Sequence, residues 1–126
     1  MSVYVMEIAI KRAYDDYDPS DGERILVDRL WPRGVKKEEA HVDEWEKDVA
    51  PSDDLRKTFH QNPDHFDHFK SAYKQELNQD QAAHEACQRL CQKASDHKIT
   101  LIYSSKNESE NNAVVLREHL LAMRVY

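Results

Sequence analysis

The segment VDRLWPRG, residues 27–34, sets Asp28, Arg29, Trp31 and Arg33 within six positions, in a chain whose formal net charge is −6. Two guanidinium groups four residues apart offer planar donor forks suited to a phosphate or a carboxylate. Lys36 and Lys37 follow them, and Lys106 stands in a later polar stretch, SKNESEN. Residues 24–37 hold five basic side chains (Arg24, Arg29, Arg33, Lys36, Lys37) against the single acid Asp28, a local +4 that can focus a field on one spot. If a helix opens after residue 109, its free amides around Asn111 and Asn112 would complete an anion site. A plainer account stands beside this one: arginines near a tryptophan stack on it or pair with an acid such as Asp28.

Other chemistries fit less well. The chain's two glycines, Gly22 and Gly34, are too far apart for a dinucleotide fingerprint or a Walker loop, which need backbone close to phosphate at several neighbouring points. His60, His65 and His68, interleaved with Asp64 and Asp67, invite a metal, but they fall off the apolar stripe of their segment and read as solvated. His84, Cys87 and Cys91 share one helix flank without a visible fourth ligand, so no metal site is assigned. Ser104 and Ser105 close an apolar run, where a nucleophile can sit, but no glycine-flanked elbow surrounds them. Asp28 and His41 are the weak candidates for acid–base work. No cofactor is specified.

The elements that must position these residues can be read from periodicity. VYVMEIAI (3–10), ERILVDRL (23–30) and KITLIYS (98–104) are continuous apolar runs of the kind found in strands covered on both faces. Pro19 and Gly22 punctuate the loop between the first two. Segment 38–50 has mixed signals and is left open. Ser52 followed by Asp53 and Asp54 predicts a helix start, and Asn62-Pro63-Asp64 predicts another. The second opens a stripe of Phe66, Phe69, Tyr73 and Leu77 that one buried helix face requires. Asn78 with Gln81 suggests a capping box for a helix burying Ala83, Cys87, Leu90 and Ala94. Ala113, Leu116, Leu120 and Met123 mark one side of a last helix. Strands separated by long helical connections predict a single α/β domain over 1–126, a mainly parallel sheet with helices packed on its faces. Ligands of such sheets bind beyond the carboxyl ends of the strands, which brings the 28–37 and 104–112 loops together.

Composition narrows the class. A chain of 126 residues supports one core. No apolar run reaches the roughly 18 residues of a membrane span, and the first apolar run has its Lys and Arg behind it, the wrong order for a secretory signal. Two cysteines four apart give no disulfide framework, so a cytoplasmic location is expected. With 24 acidic against 18 basic residues, broad contact with nucleic acid is disfavoured.

VDRLWPRG with KKEEA, then W-x-K-x-x-APS-x-x-LR from Trp45 to Arg56, then F-x(3)-Y-x-x-EL from Phe69 to Leu77, resembles the YeaO-like proteins, the family called domain of unknown function 488. The likeness spans residues 1 to about 124. It implies a small α/β domain of bacterial type and no established activity. The resemblance places Asp28, Arg29, Trp31, Arg33, Lys37, Lys47, Ser52, Arg56, Lys106 and Asn111 on motif positions. This chain departs from the family pattern at Asn112, where a histidine is usual, and at His60, displaced by one residue. Chemistry that rests on either histidine in relatives is therefore not expected of this chain.

The expected function is binding of a small, phosphate-bearing anion between the 28–37 and 104–112 loops. Arg29 and Arg33 would clamp it, Lys37, Lys106 and Asn111 would assist, and Trp31 would wall the site. Whether a reaction follows is left open. Two alternatives remain: a protein-interaction module with Trp31 and the arginines as its hot spot, and nucleic-acid binding, which the charge and the lack of a basic recognition helix make the weakest.

Overall fold

The computed structural model describes residues 6–123. Four strands, β1 (Ile8–Arg12), β2 (Glu23–Leu26), β3 (Glu44–Trp45) and β4 (Ile99–Tyr103), form one sheet in the order β1-β4-β2-β3, with every neighbouring pair parallel. Five helices join them: α1 (Lys37–Ala40), α2 (Asp53–Gln61), α3 (Phe66–Gln79), α4 (Gln81–Asp96) and α5 (Asn112–Ala122). This is the α/β class expected. Residues 3–5 of the expected first strand lie outside the described residues, and β1 extends two residues further than its apolar run. All five residues of β4 are buried because strands flank it on both sides and covering segments lie on both faces.

The two faces are covered differently. Ile25, Val27, Ile99, Leu101 and Tyr103 point to the layer of α3, α4 and α5, where they meet Phe69, Tyr73, Leu77, Leu90, Leu116 and Leu120. Alternate residues face a layer made from the 13–22 loop and the single turn α1. There the buried guanidinium of Arg24 bonds Asp21 and the carbonyls of Ala40 (3.1 Å) and His41 (3.0 Å). The Thr100 hydroxyl reaches the carbonyl of Asp21 at 2.7 Å. Burial pushes the Asp21 carboxyl up, but Lys11 and Arg24 outweigh it and hold the group below its usual range.

Helix boundaries follow caps more than composition. Ser52 caps α2 as expected, its hydroxyl accepting the amide of Leu55. Asn62 does not open α3. It closes α2 instead, donating its backbone N–H to the carbonyls of Thr58 and Phe59 and its amide to Thr58, because Pro63 cannot continue the helix. Helix α3 starts at Phe66 and still buries Phe69, Tyr73 and Leu77. Asn78 lies within α3, and Asp80 is the cap of α4. Segment 38–50 resolves into α1, the two-residue β3 and a 3-10 turn at Lys47–Val49. No helix among the described residues is long and apolar enough to cross a membrane.

His119 of α5 is 8% exposed, and its Nε2 has no hydrogen-bond partner among the described residues. Burial first, then the nearby Lys74 and His84, holds its pKa below the ordinary value. The unfolded chain therefore takes up a proton, at about pH 6.5, before the folded one does. Stability should fall as pH drops from there toward the lower folded value, and His119→Leu should flatten that slope in urea titrations. An unchanged slope would show that His119 does not titrate as a buried neutral group.

Candidate functional site

The 28–37 and 104–112 loops do meet at the carboxyl end of the sheet, and Asp28 joins them. One of its carboxylate oxygens accepts the backbone N–H (2.9 Å) and hydroxyl (2.7 Å) of Ser104, and the other accepts the Asn112 amide at 2.9 Å. The Asp28 backbone carbonyl takes the indole N–H of Trp45 at 2.7 Å. Asn112 is the first residue of α5, so a carboxylate from the chain itself stands at the electropositive start of that helix. Asn111, expected to help bind ligand, is only 2% exposed. Its side chain caps α5 by accepting the amide of Val114 and donates to the carbonyl of Asn107.

Arg29 and Arg33 do not form one clamp. The Arg29 guanidinium makes long hydrogen bonds to the carbonyls of Ala50 (3.4 Å) and Pro51 (3.5 Å) and stands 3.9 Å from Asp53. The side chain of Arg33 is exposed and pairs with no acid among the described residues. Trp31 is half-buried and structural in its contacts: its indole N–H donates to Val35 at 2.7 Å, and its ring meets Trp45 edge to face at 5.5 Å. Lys37 lies 5.9 Å from the Trp31 ring and Lys47 lies 4.0 Å from that of Trp45.

The APS stretch of the motif, with Val49 just before it, is pinned from three sides. Arg29 holds two of its carbonyls, the Tyr73 hydroxyl donates to Val49, and the Glu76 carboxylate accepts the N–H (2.9 Å) and hydroxyl (2.6 Å) of Ser52. These contacts tie the start of α2 to α3, so the spacing of the Tyr and Glu along α3 serves this junction.

Sequence reasoning missed Arg12. At the end of β1, its guanidinium donates to the carbonyls of Ser105 (2.8 Å) and Ser104 (3.4 Å) and lies 5.0 Å from the Tyr14 ring. The Tyr14 hydroxyl donates to the Arg33 carbonyl at 2.9 Å, and Lys106 follows Ser105. The Asp15 carboxylate accepts the backbone amide of Arg12, not its guanidinium. The only available signal was an Arg-x-Tyr closing a strand, which gains meaning once β4 is known to lie beside β1.

The remaining candidates lie elsewhere. His41 stacks on Tyr17 at 4.1 Å and sits beside Arg24, on the far layer from the Ser104–Asp28 contact, so the two acid–base candidates are apart. His65 and His68 edge a hollow over Phe59 and Phe69. No group of three metal-binding side chains gathers among the described residues. Burial pushes the Cys87 thiol up to about 12 and also raises that of Cys91, so both are thiols rather than reactive thiolates at neutral pH.

Residues 7–124 match a family model described as the inactive DUF488-N3 subclade. The chain belongs to this DUF488 subclade. Among its relatives, the uncharacterised protein YeaO of Escherichia coli is 44% identical over 118 residues, which cover 94% of this chain and all of YeaO. Uncharacterised proteins of Mycobacterium tuberculosis and Mycobacterium bovis are each 39% identical over 113 residues, covering 90% of this chain and 92% of theirs. No solved structure matches the chain. This DUF488 likeness covers both loops of the candidate site and the pinned APS junction.

Proposed function

We propose that the chain is a binding domain without chemistry of its own, which receives a phosphate-bearing anion on the surface formed by Arg12, Arg33 and Lys106. The observation that carries this reading is the distribution of ion pairs. Lys11, Arg24, Lys70, Lys74, Arg89 and Lys93 all have carboxylates within salt-bridge distance. Of the nine Lys and Arg without one among the described residues, five (Arg12, Arg33, Lys36, Lys37 and Lys106) lie at or after the carboxyl ends of β1, β2 and β4, whereas Lys47, Lys57, Lys98 and Arg117 are scattered elsewhere. An unpaired cation retains its capacity for a ligand. Arg12 is also held in place by two carbonyls and a tyrosine ring, which lowers the entropy lost on binding.

Two further points favour binding over catalysis. The subclade is described as inactive. Both Asp28 oxygens are engaged, and the Ser104 hydroxyl donates to one of them rather than standing free as a nucleophile. Asp28 also fills the entrance to α5, which leaves the outer cations to hold a ligand.

Thermal unfolding with inorganic phosphate and a panel of phosphorylated metabolites tests this. A ligand at a hundred times its Kd should stabilise the wild type by about 2.7 kcal/mol. Arg33→Ala combined with Lys106→Ala should abolish that gain while leaving the unliganded protein's stability within about 0.5 kcal/mol, as is usual for exposed positions. An equal gain in the double variant, or none in the wild type, defeats the reading. A second reading is a protein-docking surface, favoured by Leu30, which is 62% exposed in the middle of the basic loop. It predicts silence across the panel together with self-association or partner binding lost in Leu30→Ser.

A further inference from the structure

Arg29 leaves the basic surface and borders a hollow of about 320 Å³ between the start of α2 and the junction of α3 with α4. Arg29, Asp48, Gln79 and Asp80 are exposed along it, and Tyr73 and Leu77 supply buried apolar surface. At about 30 Å³ per water that is room for on the order of ten waters, enough for a small polar solute.

Its charges leave one carboxylate without a partner among the described residues and one guanidinium only weakly neutralised. Glu76 gives both oxygens to the backbone N–H and hydroxyl of Ser52 at the cap of α2, and Asp80 accepts the Ala83 amide as the cap of α4. Both carboxylates thus stand at helix starts, whose partial positive charge offsets them. Asp48, by contrast, makes no hydrogen bond or ion pair among the described residues. Arg29 spends its guanidinium on two long carbonyl contacts and a 3.9 Å approach to Asp53 across an exposed, screened surface, so its own charge is hardly neutralised.

We propose that this hollow binds a small amino-acid-like zwitterion, its carboxylate on the Arg29 guanidinium and its ammonium on Asp48. A simple anion would meet Asp48 unpaired, and a simple amine would meet Arg29 unpaired. Only a ligand carrying both charges answers both groups, with the Gln79 amide as an additional partner. The site is separate from the Arg12–Arg33–Lys106 surface, and either can fail without the other.

Amide chemical shifts of the full chain, followed during titration with glycine, L-alanine, N-acetylglycine and glycine methyl ester, supply the test. Glycine or alanine should perturb residues 48–52 and 79–83, and the two singly charged analogues should bind about tenfold more weakly or worse. Asp48→Asn, at an exposed position, should weaken glycine by about tenfold and leave N-acetylglycine unchanged. Arg29→Gln should weaken glycine and N-acetylglycine alike and leave glycine methyl ester unchanged, and because Arg29 also braces the APS stretch, Asp48→Asn is the deciding variant. Equal binding of glycine and its methyl ester, an unaltered affinity in Asp48→Asn, or no shift at any glycine concentration the protein tolerates would each overturn the proposal.

Discussion

Gly22→Ala is expected to cost roughly 3–4 kcal/mol, a third or more of the stability of an ordinary domain. Gly22 stands immediately before β2 with φ +67° and ψ −141°, a conformation left almost entirely to glycine. A Cβ there would lie 2.3 Å from the carbonyl oxygen of Lys98, and that oxygen already accepts the amide of Glu23 at 3.1 Å as β2 joins β4. The obstacle is backbone, so no side-chain rotation can relieve it. The clash falls where the two central strands begin to pair. Gly34 supplies the comparison: its φ is +79°, but a Cβ there would meet nothing within 4 Å. Gly34→Ala should therefore show the conformational cost alone, about 1 kcal/mol. Urea denaturation of both variants checks the difference, and equal losses would show that Lys98 yields freely.

The contrast between the glycines indicates what the sequence could reveal about the fold. ITLIY announces itself as a central strand because covering on both faces demands continuous apolar residues. The α3 and α4 stripes are legible for the corresponding reason, since one buried face imposes a spacing of three and four. β3 is not legible: two residues carry no period, and Glu44 and Trp45 are strand only because they lie against Ile25 and Leu26. Asn62 misled because an Asn followed by Pro serves equally to end one helix or begin the next. Local chemistry is the same in both cases, and the three further residues before α3 decide between them.

The candidate site was legible as a place and less so as a set of partners. Asp28, Ser104 and Asn112 meet because β4 lies beside β2, and the general rule for the carboxyl ends of parallel strands locates that meeting. Which side chain takes which direction is another matter. Arg29 and Arg33 share a turn, yet one faces the APS carbonyls and the other solvent, a divergence set by packing around Trp31 and Trp45. Arg12 became relevant only through the strand order, because β4 inserts between two strands that are consecutive in sequence. No local pattern encodes an insertion that comes from a segment almost ninety residues later.

Asp28→Ala should be the second costly substitution, at about 2–4 kcal/mol, because one carboxylate joins three donors from β4 and α5 and also complements the α5 dipole. Alanine removes the side-chain acceptors and leaves the Ser104 N–H without its partner and the Asn112 amide with only its longer 3.3 Å contact to the Val27 carbonyl. Asp28→Asn should lose less, about 1–2 kcal/mol: its oxygen can keep both Ser104 contacts, while its amide meets the Asn112 amide donor to donor. If the carboxylate is the anion that the helix start requires, a small carboxylate from solution can replace it where the side chain has gone. Formate should then recover part of the lost stability in Asp28→Ala and none in Asp28→Asn, whose amide still occupies the position. Equal stability of the two variants, or formate stabilising both and the wild type alike, would mean that Asp28 merely fills space there. The same comparison bears on why the outer cations remain unpaired, because a chain that supplies its own anion to α5 leaves Arg12, Arg33 and Lys106 with no internal charge to answer.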